Sequence, residues 1–211
     1  MLVLTRMFLI TLLFSPFQGW ASEKRCSYST YKWNVSSKSV VDYRHVKHSY
    51  GTLADYEVDQ QTGCTVCEED QVEITLYGVA PFKVCKLMAE NVRSVLVDLI
   101  EQGQPIFKVV GYRVGMTRGD PDEQGNRTGF SNHSFGIAVD INDEQNGLYG
   151  NCFEFGPQCR LRKGGEWQPG QPGSLTIDSF VVNQMKDIGF KWGGEIKGRQ
   201  KDFMHFSPSG Y

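Results

Sequence analysis

Two short stretches hold side chains able to do chemistry together. SNHSFGIAVDIN (131–142) carries His133 and, seven residues on, Asp140; DFMHF (202–206) carries Asp202 and, three residues on, His205. Imidazole nitrogens and carboxylates are the ligands zinc takes, and a catalytic zinc site keeps one of four positions open for water. Asp140 ends an apolar run, where a bare carboxylate is costly to bury and a bound cation would offset the cost. The chain has four histidines, and the other two, His45 and His48, sit in the polar segment HVKH. Each candidate also has a plainer reading. A single histidine in a strand is more often a hydrogen-bonded core residue, an aspartate after a strand is more often a turn former, and Asp202 could pair with Lys201 or Arg199. His45 and His48 read best as solvent-facing.

Positioning these groups needs a scaffold, and the chain spells out much of one. QVEITLYGV (71–79) alternates apolar and polar residues, as a strand does. VCKLMAENVRSVLVDLIEQG after Pro81 sets Val84, Leu87, Met88, Val92, Val95, Leu96 and Leu99 on one helical face, with Gly103 as its stop. IFKVVGYR (106–113) reads as a second strand, VGMTRGDPDEQGNRTGF as a loop, and GIAVDIN as a third strand. Residues 143–174 form a long Gly-, Pro- and Asn-rich region. A second helix is expected over 177–188, with Thr176 as cap and Gly189 as end. FKWGG and DFMHFS read as two short strands around a turn. Residues 22 to about 60 show little periodicity and are expected to form an irregular arm. The sum is an α+β domain with a mainly antiparallel sheet and flanking helices.

The first 21 residues, MLVLTRMFLITLLFSPFQGWA, have the layout of a secretory leader, with Gly19 and Ala21 ahead of the cut. Their apolar run is too short to span a bilayer, which takes roughly 20 residues. The expected protein is exported, periplasmic or extracellular, without a membrane span. Its parts are a leader (1–21), an arm with the first strand packed on the domain (22–80), and the catalytic domain (81–211). Lys and Arg total 22 against 24 Asp and Glu, and the leader holds only Arg6 of these. Such a balance gives no reason to expect a nucleic-acid partner, and a monomer is expected. Six cysteines in an exported chain suggest three disulfides. Cys152 with Cys159, closing CFEFGPQC, is the easiest pair by spacing; Cys64 with Cys67 is possible and leaves Cys26 with Cys85.

The two chemical stretches fit known signatures. Ser131, His133, Gly136, Ala138 and Asp140 fit Ser-x-His-x-x-Gly-x-Ala-x-Asp, and Asp202 with His205 fits Asp/Glu-x-x-His. Together they resemble the zinc peptidases of the bacterial cell wall, the D-alanyl-D-alanine carboxypeptidases and L-alanyl-D-glutamate endopeptidases, over roughly residues 105–207. That group shares its fold with lysostaphin-type peptidases and the hedgehog signalling domain. The resemblance implies one zinc ion per chain held by His133, Asp140 and His205, with Asp202 as general base. It implies Arg113, in GYR, as the group that steadies the negative oxygen of the tetrahedral intermediate. Arg118 is the second choice for that role and a substrate-binding candidate. Ser131 would support the shell around His133 and border the substrate. Trp192, in KWGGEI, resembles the Trp-x-Gly-Gly stretch of the endopeptidase branch, which would put it at the substrate; core packing is its equal alternative. The implied partner is a peptidoglycan stem peptide. Aspartate at 202 leans to an L-alanyl-D-glutamate endopeptidase. The rivals are a D,D-carboxypeptidase, for which Arg118, Arg127 or Arg162 could receive the terminal carboxylate, a non-catalytic zinc-containing wall-binding module, and a disulfide-stabilised structural protein.

Overall fold

The computed structural model describes residues 24–211, so the expected leader lies outside the described residues. In chain order the first strands are β1 (Arg25–Asn34), β2 (Ser39–Ser49), β3 (Gln71–Leu76) and β4 (Val79–Cys85). Helix α1 (Ala89–Glu101) precedes β5 (Val109–Val110), β6 (Met116–Pro121), β7 (Arg127–Phe130), β8 (Val139–Ile141), β9 (Leu148–Gly150) and β10 (Arg160–Lys163). Helix α2 (Phe180–Asp187) leads to β11 (Lys191–Trp192), β12 (Gln200–Asp202) and β13 (His205–Ser207). The fold is mixed α and β, mostly strand with two helices. Every strand pair is antiparallel except a single parallel bridge, Lys32 to Met116, between β1 and β6.

Three sheets surround the chemistry. The order β11-β13-β8-β5 forms the floor, β2-β1-β6-β7 lies to one side and β10-β9-β12 borders the floor as well. The hairpin β3-β4 stands apart and packs under α1, whose Val92, Val95, Leu96 and Leu99 follow the 3.6-residue period and are buried. The main core joins these residues to Ile74, Val139, Ile141, Val182, Met185 and Phe206, so both helices lie against the floor sheet and the β3-β4 hairpin.

Several expectations need correction. The expected irregular arm is an ordered hairpin, β1-β2, with its own small core around Cys26, Tyr28, Val66, Cys67 and Val114. Its inward positions on β1 are Cys26, Tyr28 and Thr30, which do not register as an aliphatic stripe, and β2 is exposed along most of its length. Helix α1 begins at Ala89 rather than Val84, because Val79–Cys85 turns back at Gly78, whose φ of 74° suits glycine, and pairs with β3. The loop expected over 114–130 contains the β6-β7 hairpin. Of 106–113 only Val109 and Val110 are strand, and α2 is capped by the Ser179 hydroxyl, not Thr176.

The cysteines pair as Cys26–Cys67, Cys64–Cys85 and Cys152–Cys159. The last is the expected pair; the Cys64–Cys67 and Cys26–Cys85 assignment is not what forms. Cys64 faces Cys85 and Ile137, whereas Cys67 faces Cys26 and Tyr28, so the two neighbours serve different clusters. The arm is also clasped by Asp70, buried and bonded to Lys86 Nζ (2.6 Å), Tyr50 Oη (2.7 Å), Thr65 Oγ1 (2.7 Å) and Lys24 Nζ (3.0 Å). Burial alone would raise its pKa, but these four donors hold it well below the ordinary carboxylate range. No helix among the described residues is long and apolar enough to cross a membrane.

Candidate active site

Antiparallel register brings two of the four chemical residues together. β8 runs between β5 and β13, and Asp140 lies directly opposite His205 on one side and Val110 on the other. Directly opposed residues in such a pair have Cβ atoms about 5 Å apart on the same face. His133 arrives by another route. It sits not on a strand but in a 3-10 turn over Asn132–Phe135, which ends at Gly136 with φ 67°. A Cβ at 136 would lie 2.0 Å from Gln71 Oε1 and 2.5 Å from the Cys85 backbone nitrogen, so only glycine lets the turn seat against β4.

The result is a compact donor set. Asp140 Oδ1 lies 3.0 Å from His133 Nε2 and 3.0 Å from His205 Nδ1. All three residues are buried, and one ligand atom from each falls within 4.8 Å of the others. His133 Nδ1 lies 2.8 Å from the Gly111 carbonyl, which can only accept, so this nitrogen carries the proton. With Nδ1 so occupied, Nε2 is the nitrogen that faces the carboxylate oxygen, and it would offer its lone pair there to a metal. Ligand atoms at 3.0 Å can share a proton or a cation, and the N, O, N donor set suits zinc. His205 Nε2 is buried with no hydrogen-bond partner. The observed donors thus fit a divalent metal.

Charges around the cluster are set by burial and by one another. Burial opposes ionisation of Asp140, yet the His133 and His205 rings outweigh it and keep its carboxyl well below the usual carboxylate range. Arg113 Nη2 donates to Asp140 Oδ2 at 2.9 Å, while its Nε is buried without a partner. Asp202 comes from β12, and its Oδ1 is buried and unpartnered. Burial pushes the pKa of Asp202 up to about 6; His205 pulls it down, Asp140 pushes it up, and Lys163 and Arg118 pull it down. A buried, perturbed carboxyl beside a donor cluster marks a candidate functional group.

These residues open onto a cleft of about 690 Å³, bordered by His133, Asp140, His205, Asp202, Arg113, Arg118 and Ser131. Residues 124–208 match a family model described as D-alanyl-D-alanine carboxypeptidase. The matched span takes in His133, Asp140, Asp202 and His205 and leaves out Arg113 and the β1-β2 hairpin. No curated protein and no solved structure gives a match. The match therefore covers β8, β11 and β13 of the floor sheet with β9, β10 and β12, and does not reach β5 or β6.

Not every expected residue takes its expected place. Trp192 is buried in the core, donates its indole N–H to the Phe203 carbonyl at 2.7 Å and does not border the cleft. It shapes the turn ahead of His205 rather than touching a substrate. Ser131 starts the turn that carries His133, and its hydroxyl lies 3.3 Å from that of Ser134; the His133 ring is held by Gly111 instead. His48 is half-buried and bonded to buried Glu57 at 3.0 Å, so it is less solvent-facing than its setting suggested, and His45 bonds Ser29 at 3.2 Å. Tyr31, Trp33, Lys163 and Tyr211 border the cleft without having been singled out. The two-residue spacing of Tyr31 and Trp33 is a strand signal; nothing in the sequence marks Lys163 or Tyr211.

Proposed function

We propose that this chain is an exported zinc-dependent peptidase that cleaves peptide stems of peptidoglycan. The observation that carries the reading is the His133–Asp140–His205 donor set, with a lone pair and a carboxylate oxygen converging beside an unpartnered carboxyl, inside the span matched by a peptidase family. Three disulfides support export to an oxidising compartment.

In this reading His133 Nε2, Asp140 and His205 Nδ1 hold one zinc ion. Bound there, the metal supplies Lewis acidity, acidifying water and polarising the scissile carbonyl. Asp202 Oδ1, free of protein partners, accepts a proton from the attacking water and returns it to the leaving amine nitrogen. Arg113 holds Asp140 in place and keeps a further donor for the oxygen on which negative charge develops. Gly111 fixes the His133 ring in the proton arrangement that leaves Nε2 bare. Arg118 and Ser131 contact the substrate from the cleft wall.

The preferred bond is that between L-alanine and D-glutamate, supported by aspartate rather than glutamate at 202. A D,D-carboxypeptidase is the second reading, favoured by the matched family's description and by the arginines bordering the cleft. Mass analysis of products from defined muropeptides separates them: single alanines released mean a carboxypeptidase. His133→Ala should lose the metal by elemental analysis and lose all turnover. Unchanged zinc content in that variant would overturn the ligand assignment.

A further inference from the structure

One side of the cleft comes from outside the matched span and is aromatic. Tyr31 and Trp33 of β1, with Val40 of β2, border the cleft together with the donor set. Trp33 pairs with Val40 in the hairpin register, so their side chains share a face. Tyr31 is tied to the chemistry by what lies behind it. Its ring covers Gly115 so closely that a Cβ there would fall 2.5 Å from Tyr31 Cζ. The Gly115 amide donates to Ser134 Oγ at 3.1 Å, within the turn that carries His133. Tyr43 adds a third, mostly exposed ring, its centroid 5.8 Å from that of Tyr31. The plainer role for these rings is to seal the hairpin onto the domain. Yet the hairpin's own core is Cys26, Tyr28, Val66, Cys67 and Val114, and neither Tyr31 nor Trp33 packs into it. Both are half-buried. Trp167 and Trp192 donate their indole N–H groups to the Leu175 and Phe203 carbonyls. The Trp33 indole N–H and the Tyr31 hydroxyl have no hydrogen-bond partner among the described residues.

We propose that Tyr31 and Trp33 form a stacking platform for a pyranose ring, so that the protein takes stem peptides still joined to their sugar. The inference rests on the peptidase reading and deepens it. In peptidoglycan the stem hangs by a lactyl ether from an N-acetylated sugar. The preferred bond, after the first alanine, lies two extended units, roughly 7 Å, from that ether. A sugar on so short a tether stays at the cleft while the bond sits at the metal site. A pyranose has a face of C–H bonds that suits the electron-rich face of an indole or phenol. Its rim of hydroxyls needs hydrogen-bond partners, and the free Trp33 N–H and Tyr31 hydroxyl supply them, with Thr117 and Gln200 bordering the same cleft. The residues flanking the preferred bond are alanine and glutamate, and neither has a flat apolar face to lay on an indole.

The test compares a tetrapeptide stem on its disaccharide with the same tetrapeptide capped by lactate alone. Binding is measured by calorimetry to zinc-loaded Asp202→Asn protein, and turnover by mass analysis with the native protein. The saccharide form should bind at least tenfold more tightly. Adding Trp33→Leu, which keeps an apolar side chain but removes the flat ring, should cut that preference to within about twofold, whereas Trp33→Phe should keep most of it. Equal affinity for the two ligands with Trp33 intact, or a preference that Trp33→Leu leaves whole, overturns the platform. So does a tetrapeptide capped by acetyl-leucine that binds as tightly as the saccharide form, since the wall would then be a peptide pocket. A saccharide preference without turnover of either ligand leaves the platform standing and overturns the peptidase reading; turnover of both ligands at equal affinity does the reverse.

Discussion

Replacing Asp202 by asparagine removes a charge that the fold holds at a cost and that the proposed chemistry needs. Its pKa is pushed up to about 6 from an ordinary 3.8, chiefly by burial. Each unit corresponds to about 1.4 kcal/mol, so a shift of this size is worth roughly 3 kcal/mol. The sign follows from proton binding. Between about pH 4 and pH 6 the native state holds this proton more tightly than the unfolded chain, so stability contributed by the group falls as pH rises through that window. Above it the ionised carboxylate penalises the native state in full; below it the penalty is absent. Asparagine has the same shape and no charge. Metal-free Asp202→Asn protein should therefore be more stable than the native sequence at pH 7.5, by up to roughly 3 kcal/mol, with water in the cleft reducing the figure. For a chain of this length that is a rise of roughly 6–12 °C in Tm. The gain should fade towards zero by pH 4, and shrink when zinc is bound, because the ion's charge favours the carboxylate. Turnover should meanwhile fall by about 10²–10⁴ with zinc content unchanged. Calorimetric melts in chelator at pH 4 and 7.5, alongside elemental analysis and a muropeptide assay, read all four quantities. A variant no more stable than the native protein at pH 7.5, or a gain that persists at pH 4, refutes the account of why this carboxyl is perturbed.

The clasps of the arm make two further predictions. Cys26→Ser with Cys67→Ser removes a crosslink between residues 41 apart, worth about 4 kcal/mol by chain entropy, whereas losing Cys152–Cys159, only 7 apart, should cost about 2.5 kcal/mol; denaturant melts that rank the two the other way contradict the loop-length argument. Zinc content should survive both changes, since no ligand lies on the arm or in that loop. Asp70→Asn should cost about 3 kcal/mol at neutral pH, because it withdraws a buried carboxylate from two lysines. The native group is ionised more easily folded than unfolded, so its contribution is present above about pH 4 and is lost as pH falls through its depressed value. Native and variant urea midpoints should therefore converge on acidification, and a constant gap down to pH 2 counts against the clasp.

What the sequence revealed and what it hid divide along physical lines. The meeting of His133, Asp140, Asp202 and His205 at one cleft was legible because ligand chemistry needs particular side chains at short spacings, and no packing argument puts His and Asp so close to an apolar run. Helix α1 was legible in its middle, where Val92, Val95, Leu96 and Leu99 repeat at helical period, but its start was not. Val84 and Cys85 continue the same periodicity while their backbone is claimed by β3, a non-local pairing that no local window contains. The β6-β7 hairpin was hidden for a related reason: its strands are rich in Gly, Asp and Arg and mostly only half-buried or exposed, so pairing with each other and one bridge to β1, rather than burial, makes them strands. Cysteine spacing favoured the pair with the shortest loop, yet Cys64 and Cys67 are directed into separate clusters by the extended chain between them.

The donor set and the disulfides answer one problem from opposite ends. Asp140, Asp202 and two imidazoles share a small buried region in which Arg113 is the one guanidinium that reaches a carboxylate. Such a cluster is poorly satisfied by protein groups alone, as the unpartnered Asp202 Oδ1 and His205 Nε2 record. A cation would give the carboxylates and the bare imidazole nitrogens a partner, at some cost to the nearby Arg113 guanidinium, and would couple metal binding to folding. Were that coupling strong, loss of metal would loosen the turn over Asn132–Phe135 and with it His133. The turn is instead fastened from behind: the Gly136 carbonyl accepts from the Cys85 amide at 2.9 Å, and Cys85 is crosslinked to Cys64. The Arg113 amide also bonds the His133 carbonyl at 3.1 Å. The scaffold therefore carries the unfavourable electrostatics of the cluster through crosslinks and backbone bonds outside it. In the proposed peptidase that arrangement would leave the metal-binding energy free to act on water and substrate rather than on holding the chain together.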